Sequence, residues 1–122
     1  MSRFVPEGTE PFLRPAVRAG DWLAISGQVG HVDFTLVPGG IEEQFRQAMS
    51  NFRDAVTQHG GTMSDVVKVN VYLADIDDFW PISEIYRDYI DPESLPARTA
   101  IAASQLPFGA LVEVEGWAHL PK

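Results

Sequence analysis

Leu95-Pro96-Ala97-Arg98-Thr99-Ala100-Ile101 is the stretch on which the chain turns. Proline fixes φ and has no N–H to donate, so Pro96 belongs just outside a sheet. A strand can begin at Ala97 or Arg98. Alternation then sends Thr99, Ile101 and Ala103 to one face and Arg98, Ala100 and Ala102 to the other. The second face sets a guanidinium beside two small residues. A planar five-donor fork over small neighbours suits a bound carboxylate. The alternative is an arginine in a surface or interface ion pair.

Outward from that strand the pattern is regular. Leu106-Pro107-Phe108-Gly109 turns the chain into a strand over residues 111–118, with Val112, Val114 and Ala118 on one face. Leu111, Glu113, Glu115 and Trp117 take its other face. Before Pro96, a helix capped by Asp77 or Asp78 runs to about residue 90, with Pro81 in its first turn. Residues 66–74 form a strand with Val67, Val69, Val71 and Leu73 on one side and Lys68, Asn70 and Tyr72 on the other. Residues 41–59 form the clearest helix, its stripe being Ile41, Phe45, Ala48, Met49, Phe52, Ala55 and Val56. Gly60-Gly61 supplies a left-handed stop. A hairpin over residues 14–29 and an irregular arm over residues 1–13 complete the chain, with residues 30–40 as a loop.

The order is β-β-α-β-α-β-β, an α+β arrangement of one domain over residues 1–122. Two amphipathic helices cover one side of a sheet. The aliphatic strand faces, with Ile101 among them, are assigned to that side. The other face then holds Trp22, Ser26, Gln28, Lys68, Asn70, Tyr72, Arg98, Glu113, Glu115 and Trp117. So many aromatics on an open face point to a subunit interface, with any ligand site in the seams between copies. A merely wet sheet face is the alternative.

Composition narrows the function. Hydrophobic residues make up 45% of the 122, enough for a real core. No apolar run is long enough to span a membrane, and the first residues lack the apolar stretch of a secretion signal. Cysteine is absent, so there is no disulfide, thiol nucleophile or thiolate metal ligand. These features fit a cytoplasmic protein. A net charge of −8 repels a phosphate backbone and argues against a nucleic-acid partner. His31, His59 and His119 are scattered and lack metal-ligand spacing. Ser26 has no histidine at a motif spacing and reads as a hydrogen-bonder rather than a nucleophile. Tyr86 and Tyr89 fall on a helix stripe and read as core.

Several segments together resemble the YjgF/RidA family of reactive-intermediate imine deaminases. They are Ile25-Ser26-Gly27-Gln28; Gln44-Phe45-Arg46-Gln47 with Asn51; the run from Val66 to Asp75 with Asp78-Phe79 and Ile85-Tyr86; Pro96-Ala97-Arg98-Thr99; Leu106-Pro107; and Val112-Glu113-Val114-Glu115. The resemblance implies a chorismate-mutase-like subunit and a homotrimer whose sheets line a central barrel, with three clefts between subunits. It implies that Arg98 holds a substrate carboxylate, that Glu115 orients or activates water, and that Ser26 and Gly27 line the pocket. It implies no metal and no organic cofactor. Phe12, Leu13 and Ser83 stand where the family usually has a Gly-Pro-Tyr-type segment and a common asparagine, and Ala100 stands for a usual cysteine. These differences bear on the substrate.

The function expected on this basis is hydrolysis of a small 2-imino or enamine carboxylate to a keto acid and ammonia. Glu113 is the second candidate acid, and Glu115 could instead brace Arg98. Trp117 is either interface packing or a pocket wall. The alternatives are a binding protein for a carboxylated metabolite or partner, and a deaminase of a ring-cleavage product.

Overall fold

A computed structural model describes residues 3–121. Its strands are β1 (Ala16–Ala19), β2 (Trp22–Val29), β3 (His31–Val32), β4 (Thr35–Leu36), β5 (Val66–Leu73), β6 (Ala97–Ala102) and β7 (Val112–His119). The helices are α1 (Ile41–Gln58) and α2 (Phe79–Tyr86). The main sheet has the order β1-β2-β7-β5-β6. Only β5 and β6 run parallel. The crossover between them carries α2, because parallel neighbours cannot be joined by a tight turn.

Both helices lie on one face of the sheet. The stripe of α1 puts Phe45, Ala48, Met49, Phe52, Ala55 and Val56 against Leu23, Ile25, Val69, Val71, Val112 and Val114, all buried. Full burial of a large apolar side chain contributes about 1.5–3 kcal/mol, so this stripe holds the layers together. Gly60, at φ 84°, ends the helix, and its N–H and that of Gly61 bond back to the Thr57 and Val56 carbonyls. None of the described helices is long and apolar enough to cross a membrane.

Four sequence expectations are corrected. Helix α2 stops at Tyr86 rather than near residue 90. There the Asp88 and Tyr89 N–H groups bond three residues back, to Ile85 and Tyr86. This tightening precedes Pro92, which disfavours helix at Asp91. The loop over residues 30–40 contains the β3–β4 hairpin, whose turn residues Asp33 and Phe34 have φ of 50° and 64°. In β5, Val66 pairs with Ala118 and Lys68 with Trp117, so Val67 is the extra residue. Val66 is therefore buried and Val67 exposed, because one inserted residue exchanges the faces on either side of it.

The fourth correction concerns β6. It is an edge strand beside β5, not a neighbour of β7. Arg98 lies opposite Val69, and Thr99 and Ile101 lie opposite Asn70 and Tyr72. Arg98 is thus on the helix side, and Ile101 is on the open face. The aliphatic side chain at Ile101 misled the pattern reading, since an edge strand does not have to bury its apolar side.

Gly116 lets β7 and β5 meet. A Cβ there would fall well inside contact distance of the Lys68 carbonyl oxygen and press on the Phe52 ring. Gly116→Ala is expected to cost about 3 kcal/mol or more of stability through overpacking, measured by chemical denaturation.

Candidate functional site

Three groups of polar side chains occupy separate places. The first surrounds Arg98. Its guanidinium lies 5.0 Å from the Phe79 ring centre and 4.9 Å from that of Tyr86. Its Nη2 donates to Ser83 Oγ at 3.3 Å, and that hydroxyl donates to the Phe79 carbonyl at 2.7 Å. Helix α2 thus supplies two aromatic rings and a hydroxyl that hold the fork in place. Among the described residues no carboxylate pairs with Arg98. The guanidinium is half-buried, positioned, and open to an anion. Tyr86 is buried, as its place on the stripe led one to expect, and its hydroxyl has no partner among the described residues.

The second group forms at an irregularity in β2. Ile25 pairs with Gly116 and Gln28 with Val114, so Ser26 and Gly27 together face the single residue Glu115. This bulge turns Gln28 inward, where it is buried, and not onto the open face that its alternation indicated. The Ser26 hydroxyl donates to the Arg14 carbonyl at 2.5 Å. Gly27 leaves room for Glu113, whose carboxylate occupies the space a Cβ would need. Burial, and then the neighbouring Glu115 charge, push the Glu113 carboxyl above its ordinary range. Among the described residues no side chain donates a hydrogen bond to it. Such a carboxyl can hold a proton nearer to neutral pH than a solvated one.

Glu113 and Gly27 line a cavity of about 760 Å³ that Phe12 and Leu13 of the arm also line. Part of its wall is aromatic, and Arg3, Glu10, Asn51, Asp54 and Gln58 line other parts. The Phe4 ring stacks on Phe108 at 3.9 Å and meets His31 and Phe34 edge-on at 5.4 and 6.0 Å. His31 Nδ1 accepts the Phe34 N–H at 3.0 Å. Burial lowers the His31 pKa, partly opposed by Asp33, so the ring is neutral with its proton on Nε2. Phe34 and Phe108 both have φ of 64°. A bulky side chain in that region costs on the order of 1–3 kcal/mol.

The third group is on the open face. Glu115 accepts a hydrogen bond from the Tyr72 hydroxyl and a long one, 3.5 Å, from Asn70 Nδ2. The bond to Glu115 is the main reason that the Tyr72 pKa is pushed up to about 12; the hydroxyl stays protonated and donating. Trp117 is half exposed on the same face, between Ala24 and Lys68.

Of the sequence candidates, the fold brings Phe12, Leu13 and Gly27 together around one cavity, with Ser26 beside them. Arg98 and Ser83 lie apart from that cavity, at the β6 edge on the helix side, and Glu115 and Trp117 lie on the open face. Sequence reasoning missed Tyr72 as the partner of Glu115, and the roles of His31, Phe34 and Phe108 as cavity walls. It placed Glu113 second to Glu115, and the bulge beneath Glu113 was not visible to it. The adjacent Ser-Gly pair was the available signal, since glycine inside a strand often marks a bulge. Among the described residues no group of three or more histidine, aspartate and glutamate side chains is arranged to hold a metal ion.

The fold, an antiparallel sheet with one parallel edge strand and two helices on one face, is shared with known proteins. The family described as Endoribonuclease L-PSP matches residues 4–120. The mouse 2-iminobutanoate/2-iminopropanoate deaminase is 42% identical over 93% of this chain and 84% of its own. A RutC family protein of Pyrococcus horikoshii is 40% identical over 93% of this chain and 90% of its own. The crystal structure of RidA from the Antarctic bacterium Psychrobacter superposes with a TM-score of 0.85 at 31% identity, covering 98% of this chain and 97% of that one. The chain belongs to this family, the YjgF/RidA family.

The raised Glu113 pKa has a stability consequence. A carboxyl whose folded pKa exceeds its unfolded one favours folding most below the unfolded pKa, and that contribution is lost as pH rises through the folded pKa. Glu113→Gln is therefore expected to raise the melting temperature by a few degrees at pH 7, with the gain shrinking toward zero below about pH 4. Thermal melts across that range check it.

Proposed function

We propose that the chain is a cofactor-free deaminase that hydrolyses a 2-imino carboxylate to a 2-keto acid and ammonia. The observation that carries this reading is the carboxyl of Glu113, raised in pKa and poised over Gly27 at the floor of a cavity. The names of the mouse and other mammalian relatives support it.

The chemistry needs an anion clamp and a proton-transfer group near the imine carbon. Arg98 supplies the clamp, with two N–H bonds to the substrate carboxylate. Glu113 holds a water and takes its proton as oxygen attacks C2 of the imine. The bond formed is C–O, and the C=N electron pair moves to nitrogen, giving a carbinolamine. Glu113 returns the water proton to that nitrogen. It then takes the carbinolamine hydroxyl proton and passes it to the amino group. The C–N bond breaks to release ammonia, and the oxygen electron pair closes the C=O of the ketone. Positioning and general acid–base catalysis supply the acceleration. Glu115, tied to Tyr72 and Asn70, braces the sheet beneath the site in this reading. Ser26 and Gly27 shape the pocket floor, and Phe12 and Leu13 its mouth.

Arg98 and Glu113 lie on opposite sides of the sheet in one chain, so the reading requires two copies. The edge strand β6 of one copy brings Arg98 and Ser83 to the cavity of the next. The exposed Trp22, Trp117 and Ile101 give the open face the apolar area an oligomer contact needs. The assembly is a homotrimer with three such clefts. The chain works as one domain, in the cytoplasm, without metal or nucleic acid; its charge of −8 disfavours the ribonuclease activity in the family's description.

Glu113→Gln is expected to lower kcat by roughly 10²–10⁴, with Glu115→Gln changing it less than about tenfold, measured by ammonia release from 2-iminopropanoate generated in situ. Co-refolding equal amounts of Arg98→Ala and Glu113→Gln, each inactive alone, should restore about a quarter of the wild-type sites, because each cleft draws one residue from each copy. No recovery in the mixture would place both residues in one copy and end the shared-site reading.

A further inference from the structure

We infer that the imine's side chain is bulky and aromatic, of the kind derived from phenylalanine, rather than the short chain of 2-iminobutanoate. This rests on the proposed deaminase reading and specifies its substrate class.

The first observation is size and lining. A cavity of about 760 Å³ lies in the range that encloses a drug-sized molecule, well above the needs of a short imino acid. One part of its wall is a set of rings, Phe4 stacked on Phe108 with His31 and Phe34 stacked on each other beside them. Arg3, whose guanidinium lies over Phe34, and Glu10, Asp54 and Gln58 line other parts. A phenyl side chain meets such a wall edge-on or offset-stacked, whereas a methyl or ethyl group leaves most of it in water. The neutral His31 adds no charge at the ring-lined part of the wall; the charged Arg3, Glu10 and Asp54 line the rest.

The second observation is independent of volume. The β3–β4 turn has positive φ at both Asp33 and Phe34, the backbone that asparagine and glycine adopt most readily. Phe108 holds the same left-handed backbone in the turn before β7, with Gly109 beside it. Two phenylalanines thus occupy turn positions where a smaller residue would relieve the backbone, and both rings line the same cavity. Strain kept at two separate loops that converge on one wall points to a use for that wall.

The test compares imines generated in situ by an amino-acid oxidase from phenylalanine and from alanine, with acceleration over spontaneous hydrolysis measured for each. The expected result is a kcat/KM at least tenfold higher for the phenylalanine-derived imine. Phe34→Asn and Phe108→Gly should lower that ratio by tenfold or more while the melting temperature holds or rises, since each relaxes its turn. A loss of activity through poor folding would lower the melting temperature instead. Equal or poorer turnover of the aromatic imine, or a ratio unmoved by both variants, overturns the inference and leaves the deaminase reading intact. If neither imine is accelerated, the deaminase reading fails. Calorimetry then decides the cavity: 3-phenylpropanoate binding at least tenfold more tightly than propanoate sustains an aromatic site, and equal affinity removes it.

Discussion

Between Ile25 and Gln28, β2 carries one residue more than β7 has to pair with it. Side chains alternate with a period of two, so one extra residue exchanges the faces of everything beyond it. Up to Ile25, β2 sends its aliphatic residues to the helices. Beyond the bulge, Gln28 goes inward, and Val29 joins Leu36 and Ala110 in a second small apolar cluster near Phe4 and Leu106. Gly27, at the bulge, has no side chain, and the Glu113 carboxylate takes the space. The inward turn of Gln28, the second apolar cluster and the space that Glu113 takes over Gly27 all follow from this single insertion.

The acid's character follows from what surrounds it. Glu113 and Glu115 are two residues apart on β7 and share a face, but they meet different partners. Glu115 is given donors by Tyr72 and Asn70 on β5. Glu113, opposite Val29, is given burial and a like charge. Two carboxyls of identical chemistry thereby stand in different surroundings, and only that of Glu113 is pushed above its ordinary range, a perturbation of the kind found where a group carries protons.

Helix α2 does for Arg98 what the bulge does for Glu113. Phe79 and Tyr86 are seven positions apart, two turns of helix, and present their rings to one guanidinium. Ser83, between them, adds a hydrogen bond. An arginine on an exposed edge strand would otherwise sample many rotamers; here its stem lies along α2 and its head is oriented before any anion arrives.

Local chemistry made much of this legible in the residues. The 3.6-residue stripe of α1, the alternation in β7 and, beyond Val67, in β5, the Gly60 stop and the helices on one face of a sheet follow from short-range periodicity, and the structure has them. The resemblance in the Ser-Gly-Gln, Pro-Ala-Arg and Val-Glu-Val-Glu segments led to the family. The tertiary structure alone decided which face β6 presents, because Arg98/Ala100 and Thr99/Ile101 are both mixed sets and an edge strand imposes no burial that would separate them. It alone decided that β5 stands between β6 and β7, since strand order depends on contacts far apart in sequence. It alone joined the arm, the β3–β4 turn and Phe108 into one aromatic wall. Those rings are spread from Phe4 to Phe108, and no periodicity links residues brought together only by the packing of three separate loops.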